Sequence, residues 1–315
     1  AVLITVTFGL AFNSVQSNTM SAALQSAFSI EPLNSGIVIS VLTLVIIFGG
    51  VHRIAAISSV IVPVMAVGYI ALALFVVLAN IDRIPAVVEQ IVGNAFGWHQ
   101  AVGGGIGTAL MQGIKRGLFS NEAGMGSAPN AAATAHVTHP AKQGFIQALG
   151  VFTDTLLICS CTAFIILFGE DYIGSGLDGI QLTQAALTSE VGNIGGIYVA
   201  IATLFFAYSS ILGNYYYGEA NIRFFTSRQW PVVLYRMLVG GMVLFGSLAS
   251  LNLVWNLADV TMALMSICNL IAIFLLGKYA FRLLDDYLAQ KRKGIKSPVF
   301  HKEQMKDIEQ DLECW

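Results

Sequence analysis

Long apolar runs alternate with short polar breaks along the whole chain, and the pattern predicts helices that cross a membrane. A helix needs about 20 mostly apolar residues to cross the hydrocarbon core. Stretches that meet or approach that length fall at roughly 1–25, 35–50, 54–79, 101–135, 144–169, 195–218, 231–249 and 253–282. The second is short and ends at Gly49-Gly50, a natural helix stop. Valines and isoleucines at helical spacing from Pro85 to Trp98 predict a helix lying flat on the outer interface. Residues 297–315 are polar and mixed in charge, which predicts a short disordered tail.

Composition agrees with this pattern. Of 315 residues, 56% are hydrophobic and 11% charged, and the mean hydropathy is +0.73. A soluble domain carries about 25% charged residues, so this surface is not built to face water. The net charge of -2 says little, because the charges are segregated. With the first helix running outward, the inner loops hold Arg53, Lys142, Arg223 and Arg228, and the outer loops only Arg83. The outer loop 170–194 carries Glu170, Asp171, Asp178 and Glu190, while Lys278, Arg282, Lys291, Arg292, Lys293 and Lys296 follow the last helix. Positive charge stays inside, which places the C-terminus in the cytoplasm of a multi-pass inner-membrane protein. The four cysteines, Cys159, Cys161, Cys268 and Cys314, show neither a disulfide framework nor a metal-ligand spacing. The chain opens on Ala1 within an apolar run and without a signal-peptide pattern. The expectation is that it starts inside a larger protein.

One stretch breaks the rules for a simple crossing. The segment 103–129, GGGIGTALMQGIKRGLFSNEAGMGSAP, holds eight glycines between Gly103 and Gly126, with Lys115, Arg116 and Glu122 near its middle. Glycine inside a helix costs about 1 kcal/mol relative to alanine, and a charge at membrane depth costs about 2.5–3.5 kcal/mol on insertion scales. The reading is a discontinuous helix, unwound over Ser120–Ser127. A second half starts at Ser127-Ala128-Pro129, where serine caps and proline fits a first turn, and the run Ala131–Ala135 propagates it. Such breaks hold substrate and ions in secondary transporters. Gly124 and Gly126 would let the backbone approach a small amino acid closely. The pairs Gly103/Gly107 and Gly113/Gly117 stand at a spacing that serves helix packing, and Lys115 and Arg116 read as partners of Glu122 or of carbonyls.

The run QGIKRGLFSNEAGMGSAPNAAATA, Gln112 to Ala135, resembles the most characteristic motif of the alanine or glycine:cation symporter family. FNSVQSNT (Phe12–Thr19), IFGGVHRIA (Ile47–Ala55), VPVMAVGYI (Val62–Ile70) and FAYSSILGNYYYGE (Phe206–Glu219) extend the resemblance over nearly the whole chain. It implies an all-α integral membrane protein with the leucine-transporter-like fold of two inverted five-helix repeats, about eight of whose helices are present here, one of them broken. Residues 1–79 would be the last three helices of the first repeat, 80–100 an outer loop with an interfacial helix, 101–284 the second repeat and 285–315 a cytoplasmic tail. Family members carry further helices upstream, including another broken one that supplies half of the site. The implied activity is symport of alanine or glycine with sodium, with no organic cofactor and no nucleic-acid partner. The alternative is proton-coupled transport of another small amino acid on the same fold.

The resemblance also implies site residues. Gln16 belongs to the substrate pocket, sharing a helix face with Asn13 and Met20. Phe119, Ser120, Asn121, Gly124, Met125 and Gly126 supply the break. Asn214 forms the pocket wall at a position where family members often carry an aromatic residue. Ser209 and Ser210 offer paired hydroxyls to sodium, a hard cation that prefers oxygen; their other reading is a bond back to their own helix carbonyl. Asp154 and Asp259 are intramembrane carboxylates beside threonines and read equally as functional or as hydrogen-bonded structural groups. His136 and His139 read as loop residues, and the Phe and Tyr stripe from Phe205 to Tyr217 as packing except near the break. No nucleophile–base pair or metal cluster is legible that would favour an enzyme, and no repeated filter that would favour a channel.

Overall fold

The computed structural model describes residues 1–49, 51–96, 104–169, 175–305 and 307; of 51–59, 61, 62, 104–106, 108, 109 and 304 only the backbone is described. The expectations resting on Gly50, the Arg53 side chain, Trp98, Gly103, Glu170, Asp171, Cys314 and the last residues of the tail lie outside the described residues.

Helix α1 runs as Val2–Val6, a π-helical stretch Thr7–Phe12, and Asn13–Phe28. It stops at Ser29 in the left-handed conformation. Helix α2, Pro32–Phe48, starts with proline in its first turn, where the missing N–H is not needed, and ends on Gly49. Helix α3, Val51–Ala79, contains Pro63. A 3₁₀ turn, Ile81–Arg83, leads into α4, Ile84–Ala95, bent by 75° from the preceding helix. Helix α5 is Gly104–Asn121 and α6 is Ala128–Ala132. Helix α7 runs as Pro140–Phe152, a second π-helical stretch Thr153–Cys159, and Ser160–Phe168. Helices α8, Gly179–Val191, α9, Asn193–Phe225, α10, Gln229–Leu248, and α11, Leu251–Arg292, complete the helical body.

The described residues are helical without strands, and four helices are long and apolar enough to cross a membrane: Pro140–Phe168, Asn193–Phe225, Gln229–Leu248 and Leu251–Arg292. The bent pair Pro63–Ala79 and Ile81–Ala95 makes a fifth when counted as one span. Large apolar side chains point out of the bundle along whole helices, among them Leu149, Phe152 and Leu156 on α7 and Ile271, Phe274 and Leu275 on α11. Contiguous apolar surface of this extent belongs against lipid or another helix.

The tightest packing joins α1, α2 and α10. A Cβ at Gly246 would lie 2.2 Å from the Ser14 carbonyl oxygen, so only glycine lets these backbones meet. Small hydroxyls seal the contact. Ser17 donates to the Val243 carbonyl at 2.6 Å and sits 2.5 Å from the Ser247 hydroxyl; Ser40 donates to the Gly240 carbonyl at 2.8 Å. Asn18 donates to the carbonyls of Gly246 and Ala249, which gives it a packing role. The apolar core of α3, α4, α7, α8 and α9 centres on Tyr69, Ile165, Phe168 and Leu187.

Five details correct the expectations. The predicted outer loop 170–194 contains helix α8, whose Gln184 donates to the Ala23 carbonyl. The alanine run does not carry the second half-helix to Ala135: α6 ends at Ala132, and Thr134 turns its hydroxyl onto the Ala131 carbonyl. Such local bonding competes with helix propagation. His139 is fully buried, 3.1 Å from Asp286, and accepts the Ala141 N–H at the start of α7. The described part of the tail is ordered: Phe300 and Met305 are buried, and the Phe300 N–H donates to the Thr138 carbonyl. The last helix likewise runs through the segment expected to be tail, as far as Arg292.

Candidate functional site

The break between α5 and α6 is built by three left-handed residues. Glu122, Gly124 and Gly126 have φ of 55°, 82° and 97°. Glycine adopts this conformation freely. A glutamate held there costs about 1–3 kcal/mol, and such strain clusters at functional sites. Ser120 and Asn121 are still helical, so the unwound stretch is 122–127, two residues shorter than expected at its start. Ser127 occupies the N-cap position and is buried, but makes no side-chain cap bond.

Unwound backbone at membrane depth persists only where protein or a polar cavity satisfies it. Here side chains do so from three sides. Asn269 on α11 donates to the Gly124 carbonyl at 2.8 Å. Asn221 on α9 donates to Asn130, which donates to the Gly126 carbonyl. Asn121 accepts from the Ala123 N–H and donates to Thr155 on α7. The two π-helical stretches flank the break: Phe12 on α1 lies against Phe119, and Asp154 on α7 accepts from Ser120 at 2.6 Å. π-helical turns recur at functional sites because they free backbone groups and re-aim side chains.

Lys115 and Arg116 do not partner Glu122. Both turn to Asp259 on α11, at 3.3 Å and 2.5 Å, and Arg116 also stacks over Trp255. Asp259 is thus an ion-paired structural carboxylate. Asp154, with Ser120 and Cys159 as donors, is a hydrogen-bonded one.

Between α1, the end of α5 with the break, and α9 lies a cavity of about 490 Å³. Six of the expected site residues meet there: Gln16, Phe119, Ser120, Ser209, Ser210 and Asn214. Phe12, Glu122, Gly213 and Tyr217 complete the wall. Its polar groups differ in how they are used. Ser209 and Ser210 both donate to the Phe206 carbonyl, at 2.8 Å and 3.0 Å, which leaves their lone pairs for another ligand. Asn214 donates to Asn13, which donates to the Gly9 carbonyl within the first π stretch. Gln16 has no hydrogen-bond partner among the described residues, although an amide carries two donors and an acceptor.

The other four expected residues lie elsewhere. Met125 is fully buried in an apolar cluster with Phe8, Val15 and Val254. Asn121 faces α7. A Cβ on Gly126 would meet Asn269 at 3.0 Å and one on Gly124 would meet Leu270 at 3.5 Å, so the backbone faces that look bare from the sequence abut α11. Sequence reasoning missed Asn269, Asn221 and Asn130, whose amides hold the break. An asparagine inside the apolar run of α11 was the available signal.

The profile of the sodium:alanine symporter family matches residues 1–302. The chain belongs to this family. It is 54% identical over 315 residues, all of the chain and 66% of the relative, to the probable sodium/glutamine symporter GlnT of Bacillus subtilis. Identity to the amino-acid carrier protein AlsT of the same organism is 52%, over 100% of the chain and 67% of the relative. The sodium/alanine symporter AgcS of Methanococcus maripaludis is 39% identical over 86% of the chain and 60% of its own length. The chain thus spans about two thirds of the length of these relatives. The sodium:alanine symporter family is one of transporters, not enzymes, and this member is a multi-pass membrane protein.

Proposed function

We propose that the protein carries a small neutral amino acid, alanine or glycine, across the inner membrane together with sodium, and that the cavity between α1, the break and α9 is the shared site. One observation carries this reading: the Gln16 amide, without a hydrogen-bond partner among the described residues, and the lone pairs of Ser209 and Ser210 converge where the helix pair α5–α6 is broken. An amide serves the ammonium or carboxylate of a zwitterion. Hydroxyls that donate to a helix carbonyl keep oxygen lone pairs turned outward, and a hard cation takes oxygen ligands. The half-helix arrangement is the one by which inverted-repeat transporters hold substrate and ion.

Within this reading, α1, α2, α3, the broken α5–α6 pair, α7, α9, α10 and α11 are eight successive spans, and the last three helices of one repeat precede a second repeat that opens at α5. The basic end of α11 then lies in the cytoplasm. Asn121, Gly124, Met125 and Gly126 fix the shape of the break rather than the cavity wall.

A second reading concerns the substrate. The cavity lies well within the range of about 300–1,000 Å³ that small-ligand sites occupy, and amides from Gln16 and Asn214 line it. A glutamine side chain would find partners there, as the name of the relative GlnT suggests. Coupling to protons is the alternative on the ion side, in line with relatives named sodium/proton-dependent alanine carriers. Uptake of labelled alanine, glycine and glutamine, with sodium replaced by choline at two pH values, separates these readings. Alanine or glycine uptake that collapses in choline at both pH values is the expected result. Uptake that persists in choline and follows an inward proton gradient would contradict sodium coupling. Replacing both Ser209 and Ser210 by alanine should raise the sodium concentration for half-maximal uptake; an unchanged value at normal expression excludes them as ligands.

A further inference from the structure

We infer that Glu122 is the anionic ligand of the coupling cation, completing the site that Ser209 and Ser210 begin; this rests on the sodium-coupled reading of the same cavity. Three other acids within the helical body, Asp259, Glu219 and Asp154, are answered by the protein. Asp259 is held by Lys115 and Arg116. Glu219 is held by Arg223 and Arg236 and accepts from Tyr215. Asp154 accepts from Ser120. Glu122 alone among them lines the cavity, and no basic group stands within ion-pair distance of it among the described residues, because the two cations on its own helix turn away to α11.

An anion in a low-dielectric site needs a counter-charge, since an unpaired buried charge is strongly destabilising. The surroundings offer none. The polar groups that act on it are the Ser127 hydroxyl on the break and the Asp154 carboxyl on α7, with the Tyr217 phenol of α9 in the same cavity wall, and another carboxyl nearby only sharpens the need for positive charge. As an anion it therefore takes its counter-charge from the cavity, and without a cation there it holds a proton. A carboxylate with hydroxyl oxygens across the same cavity is the donor set of a hard monovalent cation. The backbone points the same way. A helix stop in the left-handed conformation calls for glycine, yet this position carries glutamate at φ 55°. The side chain is kept there at the expense of a relaxed turn.

The test measures sodium binding without any amino acid, by the sodium concentration that half-maximally raises the thermal unfolding midpoint of the purified protein, with choline as the balancing salt. In Glu122→Gln that concentration should rise at least about tenfold, the factor that 1.4 kcal/mol of lost affinity represents. An unchanged sodium midpoint in Glu122→Gln overturns the proposal. So does an unchanged sodium midpoint with weakened amino-acid binding, which would assign the carboxylate to the substrate ammonium. If the unsubstituted protein shows no sodium effect at all, the coupling reading falls with it. Should Glu122→Gln fail to fold, the unsubstituted protein still decides: carbodiimide modification of Glu122, read by peptide mass, should be slowed by sodium and not by choline. Equal modification in both salts overturns the proposal.

Discussion

The contact of α1 with α10 and the break between α5 and α6 are both rich in glycine and polar residues, yet they use them in opposite ways. At the first, Ser17, Asn18 and Gly246 close two helices on each other, and each polar side chain finds a carbonyl or hydroxyl of the partner helix. At the second, asparagines satisfy the backbone, while Gln16 lines a cavity without a hydrogen-bond partner and Glu122 lines it without a basic one among the described residues. Small and polar residues in a membrane helix therefore do not by themselves mark a site. What marks one is a set of polar groups without partners that converge on one cavity.

The contrast can be broken first on the packing side. Gly246→Val should have the largest effect, because its Cβ would stand 2.2 Å from the Ser14 carbonyl oxygen and 2.5 Å from the Ser14 Cα. Overpacking costs about 1–3 kcal/mol where neighbours can yield, and backbone yields least. Loss of the monodisperse peak in detergent gel filtration is the expected outcome; a normal peak would show that the helices do not meet there.

On the side of the break, Asn269→Leu takes the donor from the Gly124 carbonyl. Leaving a buried acceptor unpaired costs about 1–3 kcal/mol, to be read as a lowered thermal unfolding midpoint with the sodium effect retained. Gly124→Ala forces an alanine to φ 82°, at about 1–2 kcal/mol for the left-handed conformation. Since that Cβ points at Leu270 and not into the cavity, uptake of alanine and glycine should fall equally. A selective loss of alanine uptake would return Gly124 to the substrate site.

The smallest effect lies outside the membrane. Hydrogen bonds from Arg282, at 2.8 Å and 2.9 Å, hold the Asp307 carboxyl below its ordinary range. A lowered carboxyl adds stability above its unfolded pKa and loses it as pH falls through the folded value. Both groups are exposed, so solvent screens the pair. Asp307→Asn should speed amide exchange at Val299 and Phe300 slightly at neutral pH and leave uptake unchanged.

Local chemistry made part of this legible. The clustered glycines and Ser127-Ala128-Pro129 located the break to within two residues, because φ above zero and a helix start each leave a residue signature. Gln16 and Ser209-Ser210 were singled out by the family resemblance, and the fold brings all three to one cavity. What stayed hidden depends on distant partners. Nothing near Lys115 or Arg116 announces Asp259, and a choice between Glu122 and Asp259 is settled only by packing. The π stretches at Thr7–Phe12 and Thr153–Cys159 carry no residue signature of their own. Helix α8 was concealed because Thr183, Gln184 and Thr188 give it a polar sequence, although Thr183 and Gln184 are buried.

The central claim is that the cavity between α1, the break and α9 takes up both ion and amino acid, and cysteine accessibility tests it most directly. Gly213 lines the cavity and a Cβ there meets nothing within 4 Å, while Lys293 is exposed just past the end of α11. With the four native cysteines replaced by serine, Gly213→Cys and Lys293→Cys would each be labelled by a small water-soluble thiol reagent. Sodium with alanine at about ten times the dissociation constant should slow labelling at Gly213→Cys by about tenfold, and leave Lys293→Cys unaffected. Equal labelling of Gly213→Cys with and without sodium and amino acid would contradict the assignment of the site.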